Sequence, residues 1–200
     1  MSIFSIGYSK ARDGWMNRRY WRRLWLERNI IADRAPEHIW DVLNKITSLT
    51  KLTAFMSKIT YTPDHLHPWV AKLIGLRFAT FHWWQDPVTT IHRMKGDCDD
   101  MAKLWWTCLQ KMDYEAHIYL CYRKFWWTFG ASLPWHFVCV WREQIKIPLS
   151  NIVQGRWFVA SNTEISMIPP AKTAEKAIEG YVRWDGYSRA RKLTERQVTG

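Results

Sequence analysis

Two hundred residues suffice for one compact domain with an accessory segment and are too few for two ordinary domains. A hydrophobic content of 48% excludes wholesale disorder, and four scattered cysteines without a C-x-x-C pair exclude a zinc ribbon and a dense disulfide framework. The formal net charge of +11 draws such a chain toward polyanions, whether nucleic acid, anionic lipid or acidic polymers, while fifteen tryptophans suit cores, interfaces and stacking platforms alike.

From Trp15 to Ile30 the pattern is amphipathic and helical. Tyr20 and Leu24, and Trp21 and Trp25, sit four apart and are interleaved with Arg18, Arg19, Arg22 and Arg23. Three readings fit it: core docking of the tryptophan face, an interfacial membrane helix, and a nucleic-acid or partner contact. A second helix starts near Asp33 with Pro36 in its first turn, and Ile39, Val42, Leu43, Ile46 and Leu49 form its apolar face. Asp64-His65-Leu66-His67 offers two histidines at strand spacing, but Pro63 and Pro68 flank them and no third ligand is evident, so no metal or cofactor is expected. A third helix is predicted from His67 to Phe78, ending around Phe81, His82, Trp83 and Trp84.

Gln85 to Gly96 reads as a short connecting segment, and Asp97 to Lys111 as a helix. From Glu115 the chain turns rich in β-branched and aromatic residues, in the runs Ala116 to Tyr122, Trp135 to Trp141 and Arg156 to Ala160. Gly130 and Pro134 separate the first two runs, and Pro148 to Gly155 the last two. A helix from Lys172 to Val182 and a basic tail from Arg183 to Arg196 close the sequence. This order predicts an α+β fold with about three antiparallel strands. It divides into a basic helical extension (1–80), a core (81–170) and a C-terminal helix with basic tail (171–200). Met1 to Ser9 lacks the pattern of a signal peptide, and Arg123, Lys124, Gly130 and Pro134 interrupt the aromatic stretch from Ile118 to Trp141. A cytoplasmic protein without a transmembrane segment is the expectation.

The chemistry concentrates at Gly96-Asp97-Cys98-Asp99-Asp100. Glycine lets the incoming loop turn, Asp97 is a good N-cap, and Asp100 three residues on completes a capping box. Cys98 then falls in the first helical turn, where the helix dipole and unpaired N–H groups favour a thiolate and can hold an oxyanion. The adjacent carboxylates act the other way and raise the thiol pKa, so a cationic partner has to outweigh them. His136, within Trp135-His136-Phe137-Val138, is that partner, lying on a strand with Val138 and Val140 on its face. A third group should orient the imidazole, and Asn162, just after the strand Trp157 to Ala160, is the first choice. Cys108, Cys121 and Cys139 read as core residues.

Taken together, these blocks resemble the transglutaminase-like superfamily of cysteine peptidases, of papain-like fold, and in particular its small bacterial and phage-type members. The resemblance spans Trp84 to Thr163. Trp84-Gln85-Asp86-Pro87 followed by Gly96 to Ala102 looks like the nucleophile block, and Trp135-His136 like the histidine block. Trp157 to Thr163 looks like the block that usually carries an aspartate, but that position falls on Ser161, with Asn162 one residue later. The resemblance implies a nucleophile helix packed on a small antiparallel sheet, and a thiol hydrolase or acyltransferase acting on a peptide or isopeptide amide. It also implies Cys98 as nucleophile, His136 as base, Asn162 or Ser161 as orienting group, and Gln85 or Trp84 (or Trp83) as side-chain oxyanion donor. The altered third block leaves a competing expectation: an inactive relative that binds a polyanion through its basic ends, or serves as a component of a larger assembly.

Overall fold

A computed structural model describes residues 37–62, 85–124, 132–143, 145–146 and 153–199. The predicted helices Trp15–Ile30 and His67–Phe78, the histidine pair His65 and His67, and the cluster Phe81–Trp84 lie outside these residues.

Helix α1 (Glu37–Lys45) ends earlier than its apolar pattern implied. Ser48 interrupts that pattern by accepting the Lys51 amide at 3.3 Å, which caps a separate helix, α2 (Leu49–Met56). Strand β1 (Thr60–Tyr61) then pairs in parallel with β2 (Lys95–Gly96), matching Tyr61 to Gly96. Before β2, the segment expected to be a connector forms helix α3 (Pro87–Arg93). Its start was written locally: Asp86 accepts the Val88 amide at 2.9 Å and Pro87 occupies the first turn.

Helix α4 (Cys98–Lys111) follows the predicted bounds to within one residue. Met101, Leu104, Trp105 and Cys108 recur at helical spacing and are buried. They pack with Leu52 and Met56 of α2 and with sheet residues Cys139, Trp141 and Ala160. The first part of the described chain and helix α4 thus share one core.

The sheet is larger than the three predicted strands. It runs β8-β7-β4-β3-β9, built from β3 (Glu115–Lys124), β4 (Ser132–Arg142), β7 (Trp157–Ser161), β8 (Glu164–Ile165) and β9 (Arg189–Lys192), with every pairing antiparallel. A separate small ribbon joins β5 (Ile145–Lys146) to β6 (Val153–Gln154). The added edge strand β9 comes from the stretch expected to be a basic tail. Arg-Ala-Arg-Lys has no apolar alternation to announce a strand, yet charged residues suit a sheet edge because they discourage pairing with another chain. Leu193 and Val198, just beyond it, are buried, and short helix α6 (Glu195–Thr199) ends the described chain.

Successive residues of β4 serve two layers, as pleating requires. Cys139 and Trp141 face α4, whereas Val138 and Val140 join Trp157 and Val159 against helix α5 (Ala174–Trp184), through its Ala177, Ile178 and Tyr181. Thr173 caps α5 by accepting the Lys176 amide at 3.2 Å. Gly186, at φ +72°, closes it in the left-handed region that favours glycine, and Tyr187 donates its amide back to Val182 at 2.8 Å. The architecture is α+β. No helix among the described residues is long and apolar enough to cross a membrane.

Candidate active site

Cys98 occupies the first position of α4 and is buried. Asp100 builds this corner. Its carboxylate accepts the Asp97 amide at 3.2 Å and the Gln85 amide at 2.6 Å, together with the Gln85 Nε2 group. One buried carboxylate therefore secures both the helix start and the chain entering α3. Gly96 is needed here for space rather than for turning. It lies in β2 with no positive φ, but a Cβ at that point would come within 2.9 Å of Asp100 Cβ and 3.2 Å of Thr90 Cγ2. Gln85, expected as an oxyanion donor, commits its amide nitrogen to Asp100; its buried Oε1 has no hydrogen-bond partner. The other such candidates, Trp83 and Trp84, lie outside the described residues.

Against the sheet, Cys98 packs with Phe137 of β4 and Ile118 and Leu120 of β3, and the Phe137 amide donates to its sulfur. That amide is one residue beyond the last β4–β7 pair, Val138 with Ser161. The end of β7 is thus where the thiol meets the sheet. Burial pushes the Cys98 pKa well above its ordinary value, and the charges of Asp99 and then Asp97 push it further; the Phe137 amide lowers it only in part. The resting group is a neutral thiol. Asp97, Cys98 and Asp99 offer three possible ligand atoms within 4.8 Å of one another, but the same three residues are accounted for as a helix start.

His136 directly precedes Phe137 and is also buried. Its register partner is Cys121, and a bulge follows at once, since Tyr122 pairs with Pro134 rather than Trp135. The extra residue, Trp135, is half-exposed. The His136 ring stacks with Tyr187 at 6.1 Å between centroids and with Tyr181 at 6.5 Å. Its Nε2 lies 2.9 Å from Ser161 Oγ. Of the two orienting candidates, Ser161 is the one that reaches the imidazole. Asn162 turns away: at φ +51° it sits in the left-handed region, its carbonyl accepts Trp105 Nε1 at 2.8 Å, and its buried Oδ1 has no partner. Neighbouring strand residues face opposite ways, and the pairing of Ser161 with Val138 sets it on the His136 face.

Two groups at this site carry no signal in the local sequence. Tyr61 is brought near the start of α4 and Cys98 by the β1–β2 pairing, with 48% of its surface exposed. Burial, followed by the charges of Cys98, Asp97 and Asp99, pushes its pKa up to about 12, so its phenol stays a hydrogen-bond donor at neutral pH. Asp185, at the end of α5, accepts the Tyr181 hydroxyl at 3.1 Å. Both depend on contacts between distant segments.

The chain matches no family model, no curated protein and no solved structure.

Proposed function

We propose that this chain is a transglutaminase-like thiol hydrolase or acyltransferase acting on a peptide or isopeptide amide, with Cys98 as nucleophile and His136 as base. The observation that carries this reading is the 2.9 Å contact between His136 Nε2 and Ser161 Oγ, formed in the stretch that resembles the superfamily's third block but carries Ser161 in place of its aspartate. Cys98 meets β4 at Phe137, whose amide donates to its sulfur, while His136, the residue before it, faces α5, so this reading requires the imidazole to reach the thiol past the end of β7. Because the resting thiol is neutral, proton removal accompanies attack rather than preceding it. As sulfur bonds to the carbonyl carbon, the imidazole takes the thiol proton, and the tetrahedral oxyanion is held by hydrogen-bond donors. Tyr61, whose phenol feels the Cys98 charge, and the first amides of α4 are the candidate donors. Collapse breaks the C–N bond, the imidazolium gives its proton to the departing amine, and a thioester remains. Water (or an acceptor amine) then attacks with the imidazole as base, releasing the product and restoring the thiol.

The test is labelling of Cys98 by a peptidyl fluoromethyl ketone, read by peptide mass spectrometry. Loss of a general base costs roughly 10²–10⁴-fold, so His136→Ala and His136→Gln should both label slower by that order while remaining folded by circular dichroism. Equal labelling in wild type and both variants overturns the reading.

One observation favours a second reading. A buried thiol flanked by Asp97 and Asp99, with its pKa raised, also describes a silent cysteine in a binding or structural protein. Arg189, Arg191 and Lys192 then form part of an exposed polyanion-binding edge. That reading predicts binding to nucleic acid that weakens steeply with salt, and no His136-dependent labelling of Cys98.

A further inference from the structure

Where the third block of the superfamily carries a carboxylate, this chain has Ser161, whose hydroxyl cannot by itself decide which imidazole nitrogen holds the proton. The hydrogen bonds behind Ser161 can. Its Oγ lies 3.0 Å from the Tyr181 hydroxyl, and the Tyr181 hydroxyl lies 3.1 Å from Asp185 Oδ2. Tyr187, stacked on the imidazole, also donates its hydroxyl to Asp185.

We propose that Asp185 is the carboxylate that orients His136, acting at a distance through Tyr181 and Ser161. The direction of every bond in the chain follows from its end. An ionised carboxylate only accepts, so Tyr181 must donate to Asp185. Having one hydrogen, Tyr181 then offers only its oxygen to Ser161, and Ser161 must donate to it. The Ser161 oxygen is left as an acceptor, and the group it accepts from is His136 Nε2–H. The relay therefore holds the neutral imidazole as the Nε2–H tautomer and makes Nδ1 the basic nitrogen. When Nδ1 takes a proton, the imidazolium keeps its Nε2 bond and faces a hydrogen-bonded line that ends in negative charge.

The backbone builds the relay economically. Tyr181 and Asp185 are one helical turn apart on α5, and the Asp185 amide caps that turn by donating to the Tyr181 carbonyl at 2.9 Å. Ser161 ends β7, and its pairing with Val138 sets it toward the same helix. Asp185 and Tyr181 are thus positioning residues, and neither touches a reacting atom.

This inference rests on His136 acting as the base, but its test does not need turnover. The imidazole ¹⁵N shifts of His136 report its tautomer by NMR in a protein labelled at histidine, in wild type, Tyr181→Phe, Asp185→Asn and Asp185→Glu. The expected wild-type state is Nε2–H. Tyr181→Phe keeps the ring stack and removes the relay hydroxyl, and Asp185→Asn removes its charged end. Each should shift the tautomer ratio toward Nδ1–H by about fivefold, the net worth of one hydrogen bond, while Asp185→Glu retains the wild-type state. A wild-type Nδ1–H tautomer, or a ratio unmoved in both disrupting variants, overturns the proposal. Cys98 labelling measured alongside separates the two ideas. The predicted tautomer with no His136-dependent labelling sinks the enzyme reading alone; His136-dependent labelling with the wrong tautomer sinks the relay alone.

Discussion

On the α4 side of the sheet, Met101, Leu104, Trp105, Cys139 and Trp141 form an apolar core whose polar demands are few. On the α5 side, a comparable layer of Val138, Val140, Ala177 and Ile178 surrounds a line of polar groups from His136 to Asp185. The two layers share strands but differ in what burial does. Against α4, burial fixes the place of Cys98 and keeps its thiol neutral. Against α5, it partly buries a hydrogen-bonded line that runs from His136 to Asp185. One face is almost wholly apolar, and the other carries the line of polar groups.

That contrast can be broken most forcefully at Trp105, which is fully buried and donates to the Asn162 carbonyl. Trp105→Ala should destabilise the chain by about 3–5 kcal/mol, mostly through the cavity it leaves. Tyr181→Phe, on the other face, should cost only about 1 kcal/mol, because it removes a hydroxyl and keeps the ring. Urea midpoints of the two variants measure both effects. Similar losses would mean that the α5 layer is as much a packing core as the α4 layer, and that its polar line has no separate role.

A smaller effect is expected at Gly96. Its missing side chain lets β2 lie against Asp100, and a methyl group there meets Asp100 Cβ at 2.9 Å. Gly96→Ala should cost about 1–3 kcal/mol by overpacking, and should loosen the corner that holds Cys98. The comparison sharpens if this variant slows Cys98 labelling while the His136 tautomer stays as in wild type. A changed tautomer would show that the two faces are not independent.

The legibility of this molecule in its sequence follows the same division. The Cys98 corner was readable because its signals are local: Asp97, Cys98 and Asp100 specify a helix start within four residues. The three central strands and both long helices, α4 and α5, were readable from apolar runs and caps. Strand β9 was not, because Arg189, Arg191 and Lys192 offer no buried face and their strand character comes from pairing with Tyr119 to Tyr122. Helix α3 has a sound cap at Asp86, but its seven residues give too short a period to stand out. The choice of Asn162 over Ser161 turned on register. Only the pairing of Ser161 with Val138 shows which residue faces the imidazole. Tyr61 and Asp185 become visible only when segments distant in sequence are brought together.

The finest test concerns the acidic flank of the thiol. Burial alone would raise the Cys98 pKa, and the charges of Asp99 and Asp97 add to it. Asp97→Asn removes one charge and leaves an equally good N-cap, so the helix start is preserved. The sign is unambiguous: a carboxylate beside a thiolate repels it, and its removal brings the pKa down toward the ordinary cysteine range. At any fixed pH below that pKa the thiolate fraction rises, and iodoacetamide should label Cys98 faster in Asp97→Asn than in wild type. Asp97→Ala separates charge from capping, because it speeds labelling equally while costing about 0.5–2 kcal/mol in stability. If both variants label at the wild-type rate, the Asp97 charge plays no part, and burial with the Asp99 charge keeps the thiol neutral. Desolvation by the α4 core would then rank above the Asp97 charge in holding the Cys98 proton.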